Sequence, residues 1–100
     1  MPYYRVMLHG TGIRVPSEGS GEDIIGFYTT RLVRASSEAE AERNACRNVE
    51  TQWTTEEYAG RSLDGPPELS TEWVRRTSFL DVFFFKATGH AFYFRDADAV

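Results

Sequence analysis

The segment SEAEAERNACRNVETQW, residues 37–53, decides how the rest of the chain is read. Ser37 and Glu40 have the spacing of a capping box, in which the serine oxygen accepts the N3 amide and the glutamate reaches back to the cap amide. Glu38, Glu40 and Glu42 place negative charge where the helix macrodipole favours it. Ala41, Ala45, Val49 and Trp53 recur every four residues with Cys46 beside them, while Glu42, Arg43, Arg47 and Glu50 are left for water. The pattern predicts one amphipathic helix whose small first residues let it lie close to a sheet. Thr54 and Glu57 repeat the cap spacing before Tyr58, so the helix is expected to run on or restart there and to end at Gly60.

Strand patterns flank this helix on both sides. Upstream, residues 3–15 alternate, with Tyr4, Val6 and Leu8 on one parity and Tyr3, Arg5, Met7 and His9 on the other. Gly10 and Gly12 near the end of this run suggest a bulge or bend. The turn-forming stretch PSEGSG, residues 16–21, then reverses the chain into a second strand over residues 24–35 that carries apolar groups on both parities. Downstream, GRSLDGPP at 60–67 reads as a loop within the domain. A third strand is expected over 69–79, with Leu69, Thr71, Trp73, Arg75, Thr77 and Phe79 sharing one parity. Residues 80–87, LDVFFFKA, permit either an extended segment or a helical turn, and HAFYFR at 90–95 makes a last strand. The fold class is therefore α+β: a four-stranded, possibly five-stranded, antiparallel sheet with one main helix on one face, in the order β-β-α-β-β. This is a ferredoxin-like or split α+β outline, and such an outline carries no active site with it.

Bulk properties narrow the function classes. A chain of 100 residues with 41% hydrophobic and 14% aromatic content supports one domain, residues 1–100, with a core of its own. Cys46 is the only cysteine, which excludes a disulfide framework within the chain and suits a reducing cytoplasm. The opening residues lack the apolar stretch of a signal peptide, and no run approaches the roughly 20 apolar residues of a membrane span. A net charge of −4 opposes general attraction to nucleic acid, so nucleic-acid partners are not expected. Base stacking on sheet aromatics, as in small RNA modules, stays a third-ranked idea.

Few groups in the chain are candidates for chemistry. His9 and His90 are the only histidines, and a catalytic pair would need them together beside a carboxylate such as Asp81 or Glu72. Their positions in the chain do not require that, and they read as turn or surface histidines with no catalytic assignment. His9, His90 and Cys46 lack the short ligand pairs of a zinc site, so no metal or cofactor is assigned. Cys46 lies mid-helix, away from the N-terminal amides that activate a thiol, and reads as inert. His9-Gly10-Thr11-Gly12 has the glycines of a phosphate loop but leads into a strand rather than a helix.

The aromatic distribution says more. If Tyr4, Val6, Leu8, Phe92 and Phe94 face the helix, then Tyr3, Arg5, Met7, His9 and Tyr93 point away from it, and one helix covers only one face. The far face is expected to meet a partner, with Tyr3, Met7, Tyr28 and Tyr93 as interface residues of a non-enzymatic homodimer that could take up a protein partner or a small anionic ligand. The alternative is a small enzyme or anion-binding protein whose pocket lies on that face. There Arg5, Arg31 and Arg75 would orient the anion and His9 would handle a proton.

Overall fold

The computed structural model describes residues 2–16, 22–56, 58–78 and 90–94. Strands β1 (Tyr3–Thr11), β2 (Val15–Pro16) and β3 (Asp23–Arg34) precede helix α1 (Glu38–Thr54), and β4 (Glu68–Thr77) and β5 (His90–Phe94) follow it. The α+β class, with one helix and an antiparallel sheet, is as expected, but the order of elements matches only in part: the single first strand expected over 3–15 is divided into β1 and the two-residue β2, which makes a fifth strand. Most of the expected turn at 16–21, the second cap residue Glu57, Phe79 and the ambiguous segment 80–87 lie outside the described residues.

Ser37 starts α1 as its pattern predicts, in extended conformation with its oxygen accepting the Glu40 amide at 3.2 Å. The other half of the box is different: Glu40 accepts the Ser36 hydroxyl at 2.5 Å. The helix does not run on past Thr54. Its last turn holds no basic residue, and the hydroxyls of Thr51, Thr54 and Thr55 donate to carbonyls four residues back at 2.8, 2.8 and 3.2 Å. These hydroxyls add second hydrogen bonds to carbonyls of the helix, and the Thr51 carbonyl also accepts the backbone amides of Thr55 and Glu56 at 2.9 and 3.0 Å.

All strand pairs are antiparallel, in the order β2-β3-β1-β4 with β5 also paired to β3. Phe27, Tyr28 and Thr29 pair with Gly10, His9 and Leu8 of β1 and also with Phe92, Ala91 and His90 of β5, so β1 and β5 occupy opposite edges of β3. Because β3 and β4 each run antiparallel to β1, they run parallel to one another with β1 between them. A crossover is needed to join such strands, and α1 provides it. Between the pairs Gly10↔Phe27 and Val15↔Ile24 the β1–β2 segment advances five residues against three on β3. Gly12, at φ 76°, takes up this excess in a conformation that a side chain disfavours.

β4 departs from simple alternation. Met7 pairs with Trp73 but Leu8 pairs with Thr71, so Glu72 is an extra residue in a β-bulge. The bulge reverses the phase of the strand. Leu69 and Thr71 share the α1 side with Val74, whereas Trp73, Arg75 and Thr77 lie on the other side with Met7, Arg5 and Tyr3. The common parity expected for Leu69 through Thr77 is corrected accordingly.

The core lies between α1 and the sheet. Val6, Leu8, Phe27 and Val49 are completely buried, and Ala41 and Ala45 let the helix axis approach β1 closely. Each large apolar side chain buried here is worth roughly 1.5–3 kcal/mol. Phe27 stacks on Trp53 with centroids 5.4 Å apart, and its ring fills the space above Gly10, where a Cβ would fall 2.2 Å from a ring carbon.

Candidate functional site

The face opposite α1 is built from rungs of directly paired residues, which share a face of the sheet. Tyr3 lies between Arg34 and Thr77, and Arg5 between Leu32 and Arg75. Met7 lies between Thr30 and Trp73, and His9 between Tyr28 and Ser70. Tyr93, paired with Gly26, extends the face on β5. No described helix packs on this side, since α1, the only described helix, buries its stripe on the other.

His9 makes contacts with the side chains of Tyr93, Tyr28 and Glu72 on the face. Its Nε2 is 2.8 Å from the Tyr93 hydroxyl, and its ring stacks on Tyr28 at 4.3 Å with an interplanar angle of 8°. Its Nδ1 is 3.7 Å from a Glu72 carboxylate oxygen, too long for a direct hydrogen bond but within ion-pair range. The carboxylate favours the proton on Nδ1, leaving Nε2 to accept from the Tyr93 hydroxyl. Four strands meet here: β1 supplies His9, β3 Tyr28, β4 Glu72 and β5 Tyr93. Glu72 is in phase with Glu68 and Ser70 on this face, and the bulge brings its neighbour Trp73 to the same face. Gly26 makes room for Tyr93, because a Cβ there would fall 2.1 Å from the phenol oxygen.

The other end of the face is cationic. Arg5 and Arg75 sit on one rung, and Arg34 is opposite Tyr3 one rung away. The guanidinium of Arg75 lies 4.7 Å from the Trp73 ring centre and that of Arg34 lies 5.6 Å from that of Tyr3. Like charges directly opposite each other on neighbouring strands repel, and the aromatic rings beneath Arg34 and Arg75 offset part of that cost.

Arg5, His9 and Arg75 therefore share the face with Tyr3, Met7, Tyr28 and Tyr93. Arg31 does not. It pairs with Val6 on the α1 side, where it donates to the Gln52 side-chain oxygen at 2.5 Å. Its parity on β3 is that of Phe27 and Thr29, which the core claims. The pattern reading also missed Leu32, Arg34 and Trp73 as members of the face. Arg34 has the parity of Tyr28, a signal present in the sequence once the buried side of β3 is known, whereas the placement of Trp73 depended on the bulge.

His90 is on the α1 side, across the sheet from His9. It packs among Phe27, Tyr58 and Phe92 and accepts the Trp53 indole N–H at 3.3 Å. Burial, with a smaller contribution from Arg31, lowers its pKa to about 4, so it is neutral near pH 7. A cavity of about 280 Å3 adjoins this cluster, lined by Trp53, Thr54, Gly60, Ser62, Gly65 and Pro66. No described helix is long and apolar enough to cross a membrane. Compared with known proteins, the chain matches no family model, no curated protein and no solved structure.

Proposed function

We propose that this chain is a non-enzymatic binding protein whose working surface is the sheet face opposite α1, and that it pairs through this face as a homodimer. The observation that carries the reading is the make-up of that face. Tyr3, Met7, Leu32, Trp73, Tyr28 and Tyr93 share it, and no described helix packs over them. Aromatic residues, methionine and arginine are the types enriched at interface cores, with polar groups at the rim. A single cysteine fits a reducing compartment such as the cytoplasm. Sedimentation velocity on the wild-type chain and on Met7→Lys tests the proposal. A wild-type dimer at micromolar concentration that Met7→Lys converts to monomer supports it, and a wild type that stays monomeric at 100-fold higher concentration overturns it.

A second reading has a specific observation behind it. The Glu72–His9–Tyr93 contacts, with Arg5 and Arg75 further along the face, suit a small enzyme or binding protein that holds an anion and moves a proton. Under this reading His9→Ala and Arg75→Ala abolish binding of a small anion while leaving the fold intact. A thermal-shift screen of phosphates and carboxylates that gives no stabilisation of the wild type removes it.

A further inference from the structure

Charge on the proposed pairing face is divided along the strands, and this bears on how two copies can meet. Arg34, Arg5 and Arg75 occupy the first two rungs. Glu72 lies at the other end beside His9, and Glu68, paired with Thr11, lies beyond it on the same side of β4. The rung of Met7, Thr30 and Trp73 stands between the two ends and carries no charge.

Two sheets packed face to face by a two-fold operation have their axis in the plane between them, about 5 Å from each sheet. If the axis runs along the strands, each rung meets its own copy: Arg5 faces Arg5, and the cationic ends are stacked in a layer about 10 Å thick from which water is largely displaced. If it runs across the strands through the Met7 rung, the ends are exchanged. The Arg5–Arg75 rung then lies over the His9–Ser70 rung of the second copy, bringing Arg75 towards Glu72 and Arg5 towards the His9 edge. The uncharged rung, with Met7 and Trp73, meets itself at the centre, and the charges flank it in opposite-sign pairs. That arrangement gives an apolar middle and complementary flanks, whereas the first confines like charges together.

We infer that the occupant of this face is a second copy of the chain with its strands reversed, so that Arg75 of each copy faces Glu72 of the other. The inference rests on the proposed pairing function, and its test separates the two. Arg75 and Glu72 are both exposed in the single chain, so charge reversal at either leaves the core untouched.

Self-association is measured by sedimentation and native mass spectrometry for wild type, Arg75→Glu, Glu72→Arg and the chain carrying both changes. Each single change places like charges at both symmetry-related contacts and weakens self-association roughly tenfold or more at low ionic strength. Mixing the two single variants restores a heterodimer of wild-type affinity. The introduced carboxylate at position 75 then meets the introduced guanidinium at position 72 at one contact, and the native pair remains at the other. The doubly changed chain regains homodimerisation, because opposite charges face each other at both of its contacts. Dimers unaffected by the single changes, or a mixture that fails to form heterodimers selectively, overturn the reversed arrangement while leaving a pairing face intact. A monomeric wild type overturns the pairing function itself. Circular dichroism of each variant confirms the fold, and Arg75→Gln with Glu72→Gln gives the same ranking with smaller losses if a reversal disturbs it.

Discussion

The phenol ring of Tyr93 lies over the backbone of Gly26 and brings its hydroxyl to 2.8 Å from Nε2 of His9. One position without a side chain on β3 thus allows a β5 aromatic to reach a β1 imidazole. The same device recurs on the opposite face, where Phe27 covers Gly10. In both places an aromatic ring supplies the packing that a neighbouring glycine lacks.

Gly26→Ala is expected to push Tyr93 aside, since the new methyl would sit 2.1 Å from the phenol oxygen. The expected loss is roughly 1–3 kcal/mol, as for overpacking of a filled site. Tyr93→Phe, which removes only the hydroxyl, should cost about 0.5–1.5 kcal/mol. Urea denaturation measures both, and an alanine variant less damaging than the phenylalanine variant contradicts the packing role assigned to Gly26.

Gly10→Ala meets the Phe27 ring at 2.2 Å, in the completely buried part of the core. A destabilisation of about 1–3 kcal/mol is expected. Adding Phe27→Leu should recover part of it, so the double variant should lose less than the sum of the singles. Strict additivity in a double-mutant cycle would show that the two positions do not compete for the same space.

Stability should fall as pH drops from the normal histidine range towards 4 because of His90, whose pKa is lowered to about 4 mainly by burial. The unfolded chain takes up a proton near pH 6.5, before the folded chain does, so protonation favours unfolding across this window. Below about pH 4 both states are protonated and this dependence ends. Protonation also removes the lone pair that accepts the Trp53 N–H. His90→Phe should flatten the stability profile between pH 6.5 and 4, and a profile with unchanged slope would show that other groups cause it.

Cys46 should react slowly with a disulfide reagent at neutral pH. Burial raises its thiol pKa, the carboxylates of Glu42 and Glu50 raise it further, and a hydrogen bond with Thr71 opposes them in part. Less thiolate means a slower reaction. Labelling of the folded chain should accelerate with pH and become fast in denaturant, and native-state labelling as fast as that of the unfolded chain would refute the burial argument.

Local pattern determined much of this protein. The start of α1 at Ser37, the buried stripe Ala41–Ala45–Val49–Trp53 and the division of β1 into two faces follow from cap chemistry and from helical and strand periodicity, which act over a few neighbouring residues. The tertiary structure alone decided the bulge at Glu72, the phase of Trp73 and Arg75, the burial side of Arg31 and the meeting of His9 with Tyr93. Those outcomes depend on strand register. Register is selected by pairing between distant segments, and one extra residue reverses every side chain beyond it without leaving a mark in the local sequence.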